Sequence, residues 1–262
     1  MAVSHTHPSE PRYGTWIRTR RLWMFAGLGV ACAAGALLGF WSPWFWLLLV
    51  PACLFGYIAA ILGLTTYRFR QGGLQERIHG LLAMEIVGHD GEILDVGCGS
   101  GALAVTIARA DPRCTVLGVD TWGDDWEYSK AQCDENARIE GVASRVQFQR
   151  ASAAELPLAE ASVNAVVSCL TFHEVKECAD RTDAMVESLR VLRPGGRFAF
   201  LDLFSDPAPF TSIEHVLDAV SRSGCAVVRN EPLDTLLPLP FPLGGKKVLG
   251  HARLISGFRP VS

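Results

Sequence analysis

No Asp, Glu, Lys, Arg or His occurs between Arg21 and Arg68. The 46 residues in that gap are mostly Leu, Ala, Gly, Phe and Trp, which excludes a uniformly soluble chain as the first reading. The eight cysteines contain no CxxC pair and no zinc-like spacing, which excludes a disulfide scaffold and a structural zinc site. Scattered thiols of this kind read as reduced residues of a cytosolic domain. From Arg68 onward there are 26 acidic and 20 basic residues, so the chain lacks the basic excess of a nucleic-acid binder. There is no internal repeat, and the aliphatic content is too high for a disordered chain.

As one helix, 46 residues would run about 69 Å, more than twice the ~30 Å hydrocarbon core of a bilayer. Two crossings use that length, with Trp41-Ser42-Pro43 as the turn, so a helical hairpin is expected over about 22–40 and 44–65. Gly27, Gly29, Ala33, Ala34 and Gly35 put small residues where the second helix must approach. Trp23, Trp41, Trp44, Trp46 and Tyr67 fall near the expected membrane interfaces. Arg12, Arg18, Arg20 and Arg21 precede the hairpin, and Arg68, Arg70 and Arg77 follow it, while the turn carries no charge. By the positive-inside rule both termini face the cytoplasm. The chain therefore divides into a basic arm (1–21), a hairpin (22–67) and a cytoplasmic domain (68–262).

Within that domain short β-rich runs alternate with helical stretches. Strands are expected at 92–96, 115–120, 146–149, 163–168, 197–203, 226–229 and 248–258. Helices are expected at 74–87, 102–110, 126–140, 181–192 and 213–223. Such alternation predicts a Rossmann-like, doubly wound α/β fold with a mainly parallel seven-stranded sheet.

The run Asp95-Val96-Gly97-Cys98-Gly99-Ser100-Gly101 is a strand end, a glycine loop and a helix start. Glycines there let the chain turn sharply and let a ligand approach the backbone. Asp120 ends the second strand 25 residues after Asp95, near the spacing of about 20 at which an acid reaches a ribose diol. The order Gly97-x-Gly99-x-Gly101 differs from the dehydrogenase fingerprint. It resembles motif I of the class I S-adenosylmethionine-dependent methyltransferases. Four further segments match that family in order: Leu117-Gly118-Val119-Asp120; Ala151-Ser152-Ala153-Ala154-Glu155-Leu156-Pro157; the strand at 162–168; and Arg190-Val191-Leu192-Arg193-Pro194-Gly195-Gly196. The resemblance covers about 80–258. The stretch 128–142, with Phe172-His173-Glu174-Val175, is also similar to membrane-anchored prokaryotic methyltransferases.

The resemblance implies S-adenosylmethionine as cofactor and no metal. Asp95, Gly97, Cys98, Gly99 and Gly101 would line its methionine and ribose portion. Asp120 would hold the ribose, Thr121 or Trp122 would lie beside the adenine, Ser152 and Ala153 would face the adenine edge, and Ser168 would lie near the methionine. Two positions depart from the family pattern, with Ser152 and Asn164 where aspartates are usual. On the acceptor side His173 is either a base for an O, N or S nucleophile or a packed structural residue. Glu174 either orients His173 or is a solvated acid, and Asp202 either touches the acceptor or caps strand five. The function expected is methyl transfer to a small, possibly lipophilic or lipid-like acceptor. An aminopropyltransferase of the same fold and a silent membrane-tethered scaffold are the alternatives. No nucleic-acid partner is expected.

Overall fold

The computed structural model describes residues 10–14, 19–71, 73–88, 90–123, 128–246 and 248–261. Arg18, Gly72 and the expected helix start at 126 lie outside them. The chain separates into two units. One comprises Thr15–Gln75 with Leu239–Gly245; the other comprises Met1–Gly14, Glu76–Pro238 and Lys246–Ser262.

The first unit is a helical hairpin. Helix α1 spans Thr19–Ala36 and runs into a 3-10 turn at Leu37–Phe40. After Trp41 and Ser42, a second 3-10 segment at Pro43–Leu48 leads into α2, Leu49–Gln71. The turn falls where the sequence predicts it, and the helical stretch after it runs beyond the expected end at 65. The helices approach closely at Gly29, where a Cβ would come within 3.3 Å of the Gly56 backbone nitrogen. A small residue is what that crossing requires. The Phe25 and Phe55 rings stand 6.1 Å apart, and Phe40 meets Trp46 edge-on at 5.2 Å. The outer surface is apolar, with Trp41, Phe40, Trp44, Trp23 and Val50 all exposed. Both helical stretches, Thr19–Phe40 and Pro43–Phe69, are long and apolar enough to cross a membrane.

The second unit is a seven-stranded sheet with helices. Its strands are β1 (Gly91–Val96), β2 (Cys114–Asp120), β3 (Val146–Arg150), β4 (Val163–Cys169), β5 (Leu192–Asp202), β6 (Ala226–Pro232) and β7 (Arg253–Phe258). Their order across the sheet is β3-β2-β1-β4-β5-β7-β6. The first five are parallel, and β7 lies antiparallel between β5 and β6. The helices are α3 (Leu74–Ile86), α4 (Ala102–Ala110), α5 (Lys130–Ile139), α6 (Thr182–Arg190), α7 (Pro207–Phe210), α8 (Ile213–Arg222) and α9 (Leu233–Leu236). The chain winds outward from β1 through β2 to β3, then returns to place β4 on the other side of β1. Ligands of open α/β sheets sit at the carboxyl end of such a switch point.

Local chemistry explains several boundaries. Helix α5 starts at Ser129, whose hydroxyl accepts from the Gln132 amide, and Ser212 does the same for α8 through the His215 amide. The core is built from near-continuous apolar strands such as β4, where Val163 and Ala165 to Val167 are all fully buried. Phe172, Phe198, Phe200, Phe204 and Phe210 add the bulk.

Two strands depart from expectation. The last strand begins at Arg253, not 248, because the chain turns through Leu249 to Ala252, whose amide donates to the Leu249 carbonyl. Strand β5 begins at Leu192, five residues early. Leu192 pairs with Val163, the register then shifts, and Arg197 pairs with Ala165, so Pro194-Gly195-Gly196 forms an irregular stretch inside the strand.

Candidate functional site

The carboxyl ends of β1, β2, β4 and β5 converge on one rim of the sheet, and the loops leaving them carry the candidate residues. The glycine loop leaves β1 with Gly97, Gly99 and Gly101 all at positive φ (73°, 55° and 79°). At Gly97 a side chain is also excluded by contact, since a Cβ would fall 2.1 Å from Thr171. The Gly97 and Cys98 amides donate to the Val119 carbonyl at 2.8 and 3.0 Å, which ties the loop to β2.

Asp120 closes that loop from the end of β2. Its Oδ2 accepts from the Gly99 amide at 2.8 Å and its Oδ1 from the Trp122 amide at 2.8 Å. The Trp122 indole returns a bond to the Gly99 carbonyl at 2.8 Å, and the Cys133 thiol reaches the same carbonyl at 3.1 Å. Thr121 is exposed beside them, its carbonyl accepting from Arg150 Nε at 2.7 Å.

Asp95 stands at the end of β1 and is 1% exposed. The Ala104 backbone amide bonds its carboxyl, but Oδ2 has no hydrogen-bond partner among the described residues. Burial pushes its pKa up to about 8, the Ala104 bond opposes the rise, and the nearby Asp120 charge adds to it. A buried carboxyl with an open oxygen, facing a second carboxylate, is a site for a cation or a hydrogen-bond donor.

The remaining residues on the cofactor side divide. Ser152 accepts from the Ala154 amide at 3.2 Å and donates to Glu177 Oε1 at 3.2 Å, while Ala153 is buried. Ser168 is buried at the end of β4 and spends its hydroxyl on the Val96 carbonyl at 2.9 Å. Asn164 lies elsewhere. Its Oδ1 accepts from the Glu92 amide at 3.1 Å and Arg193 at 3.2 Å, at the amino-terminal rim of the sheet. A recess of about 280 Å³ at that rim is lined by Gly88, Asp90, Asn164, Arg193 and Pro194-Gly195-Gly196. The Asn164 departure therefore falls at the end of the strands away from the glycine loop.

On the acceptor side, β4 and β5 end as neighbours, Cys169 opposite Leu201. The loop after β4 makes a 3-10 turn at Phe172–Glu174. Asp202, fully buried at the end of β5, gathers three donors there. The Phe172 amide gives 2.7 Å to Oδ2, the Leu203 amide 2.7 Å to Oδ1, and His173 Nδ1 donates to Oδ1 at 2.6 Å. Asp202, not Glu174, fixes the His173 ring. Glu174 Oε1 is 3.9 Å from the other nitrogen, Nε2. With Nδ1 committed to a carboxylate, Nε2 is left as the acceptor of neutral His173, whose side chain keeps 21% of its surface open. Burial alone would lower the His173 pKa, but the charge and hydrogen bond of Asp202, aided by Glu174 and Asp206, bring it above its usual 6.5.

The metal-binding side-chain types form no cluster of three among the described residues. Sequence reasoning left Asp202 with two roles, touching acceptor or capping, and missed its partnership with His173, because a bond across 29 residues has no local signature. It also gave no role to Asn136, Cys133 or Tyr128, which reach the glycine loop from α5 and the segment before it.

Residues 94–200 match the family described as a methyltransferase domain. The 27-O-demethylrifamycin SV methyltransferase of Amycolatopsis mediterranei is 32% identical over 162 residues, 62% of this chain and 55% of that protein. The ubiquinone/menaquinone biosynthesis C-methyltransferase UbiE of Geotalea daltonii is 31% identical over 128 residues, 48% of this chain and 51% of that protein. The chain spans about half the length of the curated relatives it matches. Among solved structures, the geranyl diphosphate C-methyltransferase of Streptomyces coelicolor A3(2), in complex with S-adenosyl-L-homocysteine, superposes with a TM-score of 0.56 at 18% identity, covering 71% of this chain and 79% of that one. The [4+2]-cyclase SpnF superposes with the same TM-score at 20% identity, covering 71% and 82%. At such identities the likeness is one of fold, and a cyclase beside a methyltransferase illustrates how widely one fold is used.

Proposed function

We propose that the sheet-bearing unit is a class I S-adenosylmethionine-dependent methyltransferase domain, and that the chain transfers a methyl group to a hydroxyl of a small acceptor while held at the cytoplasmic face of a membrane by its hairpin. The observation that carries the chemistry is the His173–Asp202 pair at the rim that also bears the glycine loop.

The residues present fit the cofactor. S-adenosylmethionine supplies a methyl already activated on a sulfonium. Asp95 offers the open buried oxygen that a cationic or hydrogen-bonding group of the methionine portion needs. Asp120, which also accepts from the Gly99 and Trp122 amides, would hold the ribose hydroxyls with its remaining lone pairs, and Gly97, Cys98, Gly99 and Gly101 would provide the backbone surface of the loop. Thr121, Ser152 and Ala153 form the adenine side, and Ser168 supports the loop from below.

His173 would take the acceptor proton on Nε2 as the acceptor oxygen bonds to the sulfonium methyl carbon, the carbon–sulfur bond breaks and S-adenosylhomocysteine leaves as a neutral thioether. Asp202 holds the ring in the tautomer that leaves Nε2 free and stabilises the imidazolium that forms. General-base help of this kind is worth about 10²–10⁴ in rate. Alignment and exclusion of water supply the rest. Glu174, 3.9 Å from Nε2, stabilises the charged ring. A hydroxyl acceptor is favoured because an oxygen nucleophile gains most from a base at this pKa. The match to a methyltransferase domain favours methyl over aminopropyl transfer.

Membrane attachment is supported by the two apolar helices, their exposed aromatic surface and the arginines at both ends of the hairpin. A lipophilic acceptor partitioning into the bilayer suits such an anchor. The test is calorimetry with S-adenosylmethionine together with transfer of a radiolabelled methyl group into membrane and cytosolic extracts. Wild type should bind and label a membrane-extractable small molecule, and Gly99→Arg and Asp120→Ala should each weaken binding at least about tenfold, or 1.4 kcal/mol. Equal affinity in all three proteins contradicts the cofactor site. Binding without incorporation into either extract contradicts the transferase.

A further inference from the structure

The described part of the N-terminal arm, residues 10–14, packs with the sheet-bearing unit although some sixty residues of arm and hairpin separate it from the next segment of that unit. It sits on the glycine loop. The Arg12 amide donates to Asn136 Oδ1 at 2.7 Å, and the Arg12 carbonyl accepts from Asn136 Nδ2 at 3.0 Å. One side-chain amide thus pairs both backbone groups of Arg12, as a neighbouring strand would. Asn136 Nδ2 also reaches the Ser100 carbonyl at 2.9 Å. Two residues further along the arm, the Gly14 amide donates to the Ser100 hydroxyl at 3.3 Å. Gln132 donates to the Arg12 carbonyl, and the Tyr13 hydroxyl reaches Glu140 at 3.4 Å.

Tyr128 completes the stack. Its ring lies 3.6 Å from where a Cβ on Gly99 would be, and Gly14 is pressed so close to the same ring that a Cβ there would fall 1.9 Å from Cε1. The order from outside inward is therefore Gly14, Tyr128, Gly99. Asn136 is 1% exposed on the face of α5 where its neighbours are Cys133 and Ala137. A polar side chain buried among small apolar ones is destabilising unless every group is paired, and here the arm and the Ser100 carbonyl do the pairing.

We propose that residues 10–14 form a strap that closes the donor site over the glycine loop and retains the bound cofactor, with Asn136 as the positioning residue that holds it. This rests on the reading of the loop as the S-adenosylmethionine site. The strap bonds the Ser100 hydroxyl directly, Asn136 ties the strap to the Ser100 carbonyl, and Gly14 packs on the Tyr128 ring beside Gly99, so the loop is held in its binding shape.

The test uses the full chain in detergent micelles and S-adenosylhomocysteine as probe. Gly14→Val introduces a side chain that the Tyr128 ring has no room for, and so lifts the strap without altering the sheet. It should weaken binding about tenfold or more, through a faster off-rate, with an apo melting midpoint close to wild type. Asn136→Ala should weaken binding comparably. Trypsin should cut after the exposed Arg12 in the free protein and be slowed several-fold by saturating S-adenosylhomocysteine in wild type but not in Gly14→Val. Unchanged affinity in Gly14→Val, cleavage indifferent to the probe, or a loss of melting midpoint that accounts for the loss of binding would each overturn the strap. Asp120→Ala is the control for the underlying site. If it loses binding while Gly14→Val keeps it, the strap alone fails; if wild type does not bind the probe, the site itself fails.

Discussion

At Asp202 three donors meet one fully buried carboxylate, and the consequence is felt at His173. Asp202→Asn keeps the shape but removes the main charge that raises the His173 pKa, leaving burial, the largest effect, opposed only by Glu174 and Asp206. Two effects are expected in the pH dependence of methyl transfer. The wild-type rate should rise with pH along a limb whose midpoint is above 6.5, because only neutral His173 accepts a proton. In Asp202→Asn that limb should move to lower pH while the plateau falls about 10²-fold or more, since the tautomer is no longer enforced. His173→Ala should lose the limb altogether, with cofactor affinity intact. A full-rate His173→Ala enzyme at saturating acceptor would remove the base. Asp95 yields a second prediction. Its carboxyl keeps a proton up to about pH 8 in the folded chain but gives it up near 4 when unfolded. Between those values the folded state holds one more proton, so this group makes stability fall by about 1.4 kcal/mol per pH unit as pH rises. Asp95→Asn should show a flatter decline from pH 5 to 8 in thermal denaturation without cofactor; parallel curves would count against a protonated Asp95. Asp95 and the glycines were legible as chemistry because they sit in one short run, and Asp120 because it ends the next strand at a telling spacing. The His173–Asp202 bond was not, since it joins two loops that only the β4–β5 register brings together.

At the scale of the element, burial and pairing are separate properties, and the sequence reports the first better than the second. The expected strand at 248–258 is mostly apolar, and Leu249 and Ala252 are indeed buried, yet only Arg253 onward joins the ladder. The early part is turned in at Gly250 and held by the His251 carbonyl, which accepts from the Ser205 amide at 3.1 Å. Arg193-Pro194-Gly195-Gly196 has no partner on β4 and Gly195 takes φ 80°, yet the Gly195 amide donates to the Arg259 carbonyl at 2.7 Å and the Arg259 amide to the Gly196 carbonyl at 2.9 Å, which draws the run into β5. One glycine is demanded by pairing rather than by a turn. At Gly257, near the end of β7, a Cβ would lie 1.9 Å from the Ala226 carbonyl oxygen and 2.9 Å from the Phe198 ring. Because the nearest atom belongs to backbone, Gly257→Ala should cost about 2–3 kcal/mol, read as a lowered melting midpoint. Gly123→Ala, with open space around its Cβ position, serves as a comparison. A Gly257→Ala protein as stable as wild type would mean that β6 and β7 part easily.

For the whole molecule, the division into hairpin and sheet was legible from one signal, the missing charge. That signal is strong because a bilayer and an aqueous core set opposite demands on composition. Topology is the part that remains to be measured. With arginines at both ends of the hairpin, a tag on either terminus should be digested from the same side in inside-out vesicles, and a tag inserted between Trp41 and Ser42 only from the other. Protection of one terminus alone would contradict the hairpin orientation.

The bond between Arg12 and Asn136 joins residues 124 positions apart. During synthesis at roughly 5–20 residues per second, the arm emerges many seconds before its anchor exists. In that interval the whole apolar hairpin leaves the ribosome. If the hairpin is the proposed membrane anchor, its insertion comes first, with the arm still unattached, and only the later appearance of α5 decides whether the arm finds its seat. A chain in which only one of the two helices crossed would strand residues 10–14 across the bilayer from Asn136 and leave the glycine loop uncovered. The order of translation thus makes a finished donor site a record of correct insertion.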